Sequence, residues 1–306
     1  MAEPRFPAPD PRDVDPLAVR RGVARAARTS DDAAALQREV GARMNARLDY
    51  VKLTPTVVLD AGCGTGEAVG ELAARYQASR VVAFDLALPM VERARARSQA
   101  RRTALGRLLR PFATRGAADA QFVCADINAL PFRGVAFDLV WSNLALQWVN
   151  DLPRAFAEFR RVLRVGGLLS FTTFGPDTLR EVRDAFAGVD ARTHTNRVVD
   201  MHDIGDMLVE AGFADPVMDM EYVTLTYSTP QAMLAELKAI GATNRTRGRP
   251  PGLMGRARFS QAVERLERLR RDERIPATFE VVYGHAWKPE PRTTAEGHAI
   301  VRFQRR

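Results

Sequence analysis

Five short apolar runs punctuate the first part of the chain: TVVLDA (56–61), RVVAFD (80–85), QFVCAD (121–126), FDLVWSN (137–143) and LLSFTTF (168–174). Amphipathic stretches at 67–76, 90–99 and 152–165 separate most of them. Runs this short and this apolar read as strands buried on both faces. Strand–helix–strand alternation then requires right-handed crossovers and a parallel sheet with helices on both sides, an α/β class of fold. The helix at 152–165 carries its own punctuation, with Asp151 as an acidic cap, Pro153 in the first turn and Gly166-Gly167 as the stop. Before the first strand, residues 16–50 show helical spacing through Leu17, Val19, Val23, Leu36, Val40, Met44 and Leu48, with Asp31 a candidate cap. After Phe174 the pattern predicts helices at 177–187, 203–211, 230–240 and 258–272, and strands at 217–227 and 278–287.

Three consecutive strands end in an acid: Asp60, Asp85 and Asp126. Ligands of doubly wound sheets bind outside the carboxyl ends of the strands, so these acids share the binding edge. Asp60 leads directly into Gly62, Gly64 and Gly66, with Cys63 between the first two and a helix following at Glu67. Glycines there let a ligand approach the backbone, and the helix adds free N–H donors. A tight turn alone would also account for them. The spacing is G-x-G-x-G rather than that of a dinucleotide site, and Asp60 would repel a pyrophosphate while attracting a cationic amine. Asp85 stands nineteen residues after Gly66, where an acid accepts ribose hydroxyls. Asp126 suits an exocyclic adenine N–H, with Ile127 packing on the ring. Amine, ribose and adenine without phosphate describe the ligand.

Charge adds a partner class without naming it. The net charge is +8; the stretch from Arg93 to Arg115 holds eight arginines and no acid, and Arg245 to Arg274 holds ten arginines against four acids. Such surfaces suit an acidic protein, nucleic acid or an anionic membrane, or are simply solvated. No apolar run approaches membrane-spanning length, and the four prolines of residues 1–15 predict a disordered lead-in rather than a secretory signal. Two cysteines, Cys63 and Cys124, and four scattered histidines give neither a disulfide framework nor metal spacing, so a cytoplasmic protein without metal is expected.

The blocks VVLDAGCGTG, FD (84–85), AD (125–126) and FDLVWSNLALQWV (137–149) resemble the signature of class I S-adenosylmethionine-dependent methyltransferases. That resemblance implies a Rossmann-like sheet of seven strands, the last antiparallel, with helices on both faces and a helical cap. It also implies S-adenosylmethionine as cofactor, held by Asp60, Gly62, Cys63, Gly64, Gly66, Asp85, Leu86, Met90, Asp126, Ile127 and Asn143. Four further stretches, VRRGVARAARTSDDAAALQREVGARM (19–44), FTTFGPDTLREV (171–182), HTNRVVDMHDIGDML (194–208) and LKAIGATNRTRGR (237–249), resemble the malonyl-acyl-carrier-protein O-methyltransferases of biotin synthesis. Where that family carries aromatics in its first helical region, this chain has Val23 and Ser30.

The narrower resemblance implies methylation of the free carboxylate of a malonyl thioester on acyl carrier protein or coenzyme A. Such a carboxylate is already ionised, so no catalytic acid or base is assigned. Arg197, Arg245, Arg249 and Trp148 are the candidate substrate residues, Arg197 foremost. The expected organisation is a lid at 16–50 and a methyltransferase domain over 51–306, with a basic insertion at 97–120 and cap segments at 175–213 and 228–275. Competing readings are the same fold acting on RNA, a quinone precursor or a protein arginine, or serving as a non-catalytic assembly factor. The residues show no aromatic-interleaved basic platform of the kind that binds RNA, and they leave the oligomeric state open.

Overall fold

The computed structural model describes residues 10, 13–29, 31, 34–108, 120–189, 192, 194–196, 198–240, 243–249, 252 and 254–291. Seven strands, β1 (Val57–Ala61), β2 (Arg80–Asp85), β3 (Gln121–Cys124), β4 (Phe137–Ser142), β5 (Leu163–Phe174), β6 (Ala214–Tyr227) and β7 (Ile275–Trp287), form one sheet. Its order is β3-β2-β1-β4-β5-β7-β6. The first five strands pair in parallel, and β7 runs antiparallel to both of its neighbours. The chain steps outward from β1 to β3 and then returns to β4 on the other side of β1. That reversal opens a crevice at the carboxyl ends of β1 and β4.

Side-chain alternation along the strands sorts the core into two layers. Val58, Val81, Ala83, Leu139 and Trp141 pack with Leu36, Val40 and Met44 of α2 (Ala35–Arg47) and with Leu72 of α3 (Glu67–Arg75). Leu59, Val82, Phe84, Val140 and Leu169 pack on the opposite face with Phe156 and Phe159 of α5 (Leu152–Val162). The same parity sends Asp60, Asp85 and Asn143 to the first face, under α2. In α5, Asp151 accepts the Arg154 N–H at 3.0 Å, and Leu152, Ala155, Phe156, Phe159 and Val162 are buried. Each fully buried phenylalanine contributes on the order of 1.5–3 kcal/mol of apolar burial.

Several boundaries differ from expectation for tertiary reasons. Helix α5 stops at Val162, not 165, because Leu163 is already extended (φ −67°, ψ 145°) and opens β5. Gly166, at φ +75°, therefore bends a strand rather than ending a helix, and its N–H donates to the Lys288 carbonyl at 2.8 Å. The predicted basic insertion begins as continued helix, since α4 runs from Leu88 to Leu108, and residues 109–119 lie outside the described residues. Asp13–Asp15 were expected in the lead-in, yet Val14 is buried and bridges antiparallel to Thr246. Asn150 clamps Val14 through both its N–H and its carbonyl, at 2.9 Å each. The predicted cap segment 175–213 divides. Val182, Ala185 and Phe186 of α6 (Arg180–Phe186) cluster with Met233 and Leu237 of α8 (Pro230–Ala239) and with Ala262 and Leu266 of α9 (Arg256–Glu267). Ile204 and Leu208 of α7 (Met201–Glu210) instead join α5 on the opposite face. Among the described residues no helix is long and apolar enough to cross a membrane.

Candidate functional site

The crevice begins in the loop joining β1 to α3. Gly62 and Gly66 both hold left-handed backbone, at φ +79° and +80°. A Cβ on Gly62 would lie 2.4 Å from the Cβ of Ala145, and one on Gly66 would lie 2.7 Å from the Cβ of Ala94. Only glycine therefore lets the loop pack against both neighbours. The N–H groups of Gly62 and Cys63 donate to the Phe84 carbonyl at 2.9 Å each, tying the loop to β2. Gly64 has nothing within 4 Å of its missing side chain and lines a cavity of about 210 Å³.

Two acids face that cavity in different states. Asp85 is anchored, with Oδ2 accepting the Gly64 N–H at 3.0 Å and Oδ1 accepting the Ala87 N–H at 2.9 Å. Its burial raises its pKa despite the Ala87, Gly64 and Leu86 amides. Asp60 is 2% exposed, and its Oδ2 is buried without a hydrogen-bond partner. Burial, with Asp85 nearby, pushes its carboxyl up to about 7. A buried acceptor with no donor calls for a donor from a ligand, and a cationic amine meets that need best. Cys63 lines the same cavity; burial, then Asp60 and Asp85, push its thiol well up.

Asn143 and Met90 also line this cavity, but Asn143 is already occupied. Its Oδ1 accepts the Thr172 hydroxyl at 2.7 Å and its Nδ2 donates to the Gln37 carbonyl at 3.0 Å, binding the sheet to α2. Leu86, Asp126 and Ile127 are not in the cavity lining. Asp126 is exposed and accepts the Asn128 N–H at 2.8 Å, while Ile127 is buried in the core on the opposite face. Both still follow directly on β3, whose Cys124 is in register with Asp85.

The segment before β1 is held to the rest of the chain electrostatically. Asp31 does not cap α2, whose cap position is Ala34 with no side-chain bond. Its carboxylate instead accepts the Thr65 hydroxyl at 2.6 Å and pairs with Arg93 at 2.9 Å and Arg97 at 2.6 Å. Burial alone would raise its pKa; Thr65, Arg93 and Arg97 outweigh that and lower it. Helix α1 (Pro16–Ala26) contributes Val23 and Ala26 to the cavity wall, and α2 contributes Gln37, Arg38 and Gly41.

A second cavity of about 200 Å³ shares Gln147, Trp148 and Phe174 with the first. Its other walls include Val182, Phe186, Leu237 and Phe279, with polar groups from His194, Asn196 and Thr243. Trp148 is thus in the wall of both cavities. Arg245 and Arg249 lie outside the lining of both cavities, and Arg249 is paired with Asp15 at 3.0 Å. Arg197 lies outside the described residues, as does Ser30. Sequence reasoning missed Gln37 and Gln147, whose Oε1 atoms are buried without partners in the wall of the first cavity. Their signal was weak, because a glutamine on a helix or in a turn is ordinarily a surface residue.

A family model described as a methyltransferase domain matches residues 59–171. A protein of Gallionella capsiferriformans named malonyl-[acyl-carrier protein] O-methyltransferase is 52% identical over 289 residues, covering 94% of this chain and 96% of its own. A protein of Laribacter hongkongensis with the same name is 51% identical over 292 residues, with the same coverage. The YcgJ protein of Bacillus subtilis, a solved structure 17% identical to this chain, superposes with a TM-score of 0.56 over 81% of this chain and 98% of its own, a likeness of fold.

Proposed function

The chain belongs to the malonyl-[acyl-carrier protein] O-methyltransferase family, and on that footing we propose that it methylates the free carboxylate of a malonyl thioester on acyl carrier protein, with S-adenosylmethionine as donor. The observation that carries this reading is the unpartnered Asp60 Oδ2 in a cavity sharing a wall with a second, largely apolar one. When bound, S-adenosylmethionine supplies a methyl group on a positively charged sulfur, which an anionic oxygen attacks. Asp60 takes the ammonium group of the donor. Each Asp85 oxygen accepts one backbone N–H and keeps a further acceptor site for a ribose hydroxyl. Gly62, Cys63, Gly64 and Gly66 would supply the close-fitting floor and Met90 would pack against the nucleoside, whereas Leu86, Asp126 and Ile127, outside the cavity lining, could reach it only if the loop after β3 re-aims.

The remaining residues bring the acceptor in and keep water out. A malonyl carboxylate is ionised at neutral pH, so the protein needs no general base. Positioning in a dry pocket is what it must provide. Gln147, Trp148 and Phe174, common to both cavities, hold the acceptor against the donor. Val23 and Ala26 of α1 and Gln37 of α2 close the donor side. The neutral Cys63 thiol does not compete as a nucleophile, because only a thiolate attacks readily. Cys63 and Cys124 are both free thiols, which suits a reducing cytoplasm. Esterification masks the charge of the malonyl end, so the thioester can be elongated as an ordinary acyl chain; we place this at the start of the pimeloyl chain of biotin. Family membership supports this reading over RNA, quinone or arginine methylation.

Incubation with S-adenosylmethionine and malonyl-acyl carrier protein should give a product heavier by one CH2 by mass spectrometry, with fragmentation placing the gain on the malonyl group. An unchanged carrier protein would refute the assignment. A parallel reaction with malonyl-coenzyme A decides which thioester is preferred.

A further inference from the structure

Most buried cations in proteins are paired. Among the described residues Arg245 is an exception: it is half-buried, yet its guanidinium makes no ion pair and no hydrogen bond. The neighbouring Arg249 is neutralised by Asp15, and its guanidinium also donates to the Thr246 carbonyl at 2.8 Å. Arg245 instead lies flat against α1 at Gly22, where a Cβ would sit 2.4 Å from its Cζ and Nη2. The missing side chain at Gly22 makes room for the cation. Arg25, three residues further along α1, is exposed and likewise makes no ion pair among the described residues. Burial, then the charges of Arg25 and Arg249, lower the pKa of Arg245. The group is a cation held beside other cations, which an anionic ligand would stabilise.

Its location says which anion. The main-chain N–H of Arg245 donates to Asn196 Oδ1 at 2.8 Å, and Asn196, Thr243 and Asn244 all line the second cavity. On the other side, Val23 follows Gly22 and lines the donor cavity. The arginine pair thus stands beside the acceptor cavity without entering it, so it is placed for a part of the acceptor remote from the reacting carboxylate. We propose that Arg245, assisted by Arg25, binds the phosphate of the phosphopantetheine arm that carries the malonyl group. This rests on the malonyl thioester reading above. A phosphate matches the planar, multi-donor guanidinium and is the anion common to a carrier-protein arm and coenzyme A.

Three acceptors separate the sources of negative charge: malonyl-pantetheine without phosphate, malonyl-coenzyme A, and malonyl-acyl carrier protein. Arg245→Gln should lower kcat/KM about 10- to 100-fold for the two phosphate-bearing acceptors and leave malonyl-pantetheine unchanged. Arg245→Lys should recover part of the loss, and Arg25→Gln should show a smaller loss with the same selectivity. Unaltered S-adenosylmethionine affinity by calorimetry confirms that the variants are folded. Equal loss on all three acceptors, or no loss on any, overturns the proposal. Loss confined to the carrier protein also overturns it, assigning Arg245 to the protein surface of the carrier. Failure of the unmodified enzyme on all three would instead refute the function on which the proposal rests.

Discussion

Asp60→Asn should separate ligand binding from stability, and pH should reveal it. In the folded chain the Asp60 carboxyl is raised to about 7 by burial and by Asp85, against about 3.9 in an unfolded chain. Between those values the native state holds a proton that the unfolded state lacks. Stability therefore falls as pH rises, by about 1.36 kcal/mol per unit. About three units give a penalty of roughly 4 kcal/mol that is absent below about pH 4 and complete above about pH 7. Asparagine keeps the shape and does not ionise, so the variant escapes the penalty. Urea unfolding without donor should show it more stable than the parent by about 1–1.5 kcal/mol at pH 5 and by up to about 4 kcal/mol at pH 8. Calorimetry at pH 8 should show the opposite for function, with S-adenosylmethionine affinity reduced about 10- to 100-fold through loss of a charged hydrogen bond. A stability difference that stays flat from pH 5 to 8, or a variant less stable at pH 8, would refute the reasoning.

Gly62→Ala forces a left-handed φ on alanine and drives its Cβ to 2.4 Å from Ala145, so donor affinity should fall sharply while urea stability drops about 1–3 kcal/mol. Asp31→Asn removes the pairs to Arg93 and Arg97. With Asp31 partly solvated, stability should change by less than about 1 kcal/mol, but stopped-flow release of S-adenosylhomocysteine should accelerate severalfold. Gly284→Ala on β7 would place a Cβ 2.2 Å from the Phe171 ring, which is fully buried, and should cost about 1–3 kcal/mol by urea midpoint without changing donor affinity.

The strand–helix alternation, the apolar runs and the three strand-end acids were readable because they are local and periodic. Asp60 and Asp85 stand where the pattern placed them, and period-two alternation alone puts them on the face covered by α2. Asp126 was read from the same pattern, yet its side chain is exposed and turned into a local bond with Asn128. A strand end specifies position along the sheet, but the loop that follows it aims the side chain. The arginines show a related limit. Their charge was evident, but Arg249 meets Asp15 only because residues 13–15 fold back against 245–247. No periodicity encodes a contact between such distant segments.

Chain order and hydrophobic period therefore sufficed for the alternating strands and helices and for the acids and glycines at the strand ends, since each depends on neighbours within a few residues. Three matters were settled only in three dimensions: which acid is left without a partner, how Asn143 ties the sheet to α2, and where Arg245 comes to rest beside Gly22. Each depends on what a buried polar group finds opposite it after folding. In a low-dielectric interior that choice of partner decides whether a charge is stabilised, raised in pKa or left for a ligand.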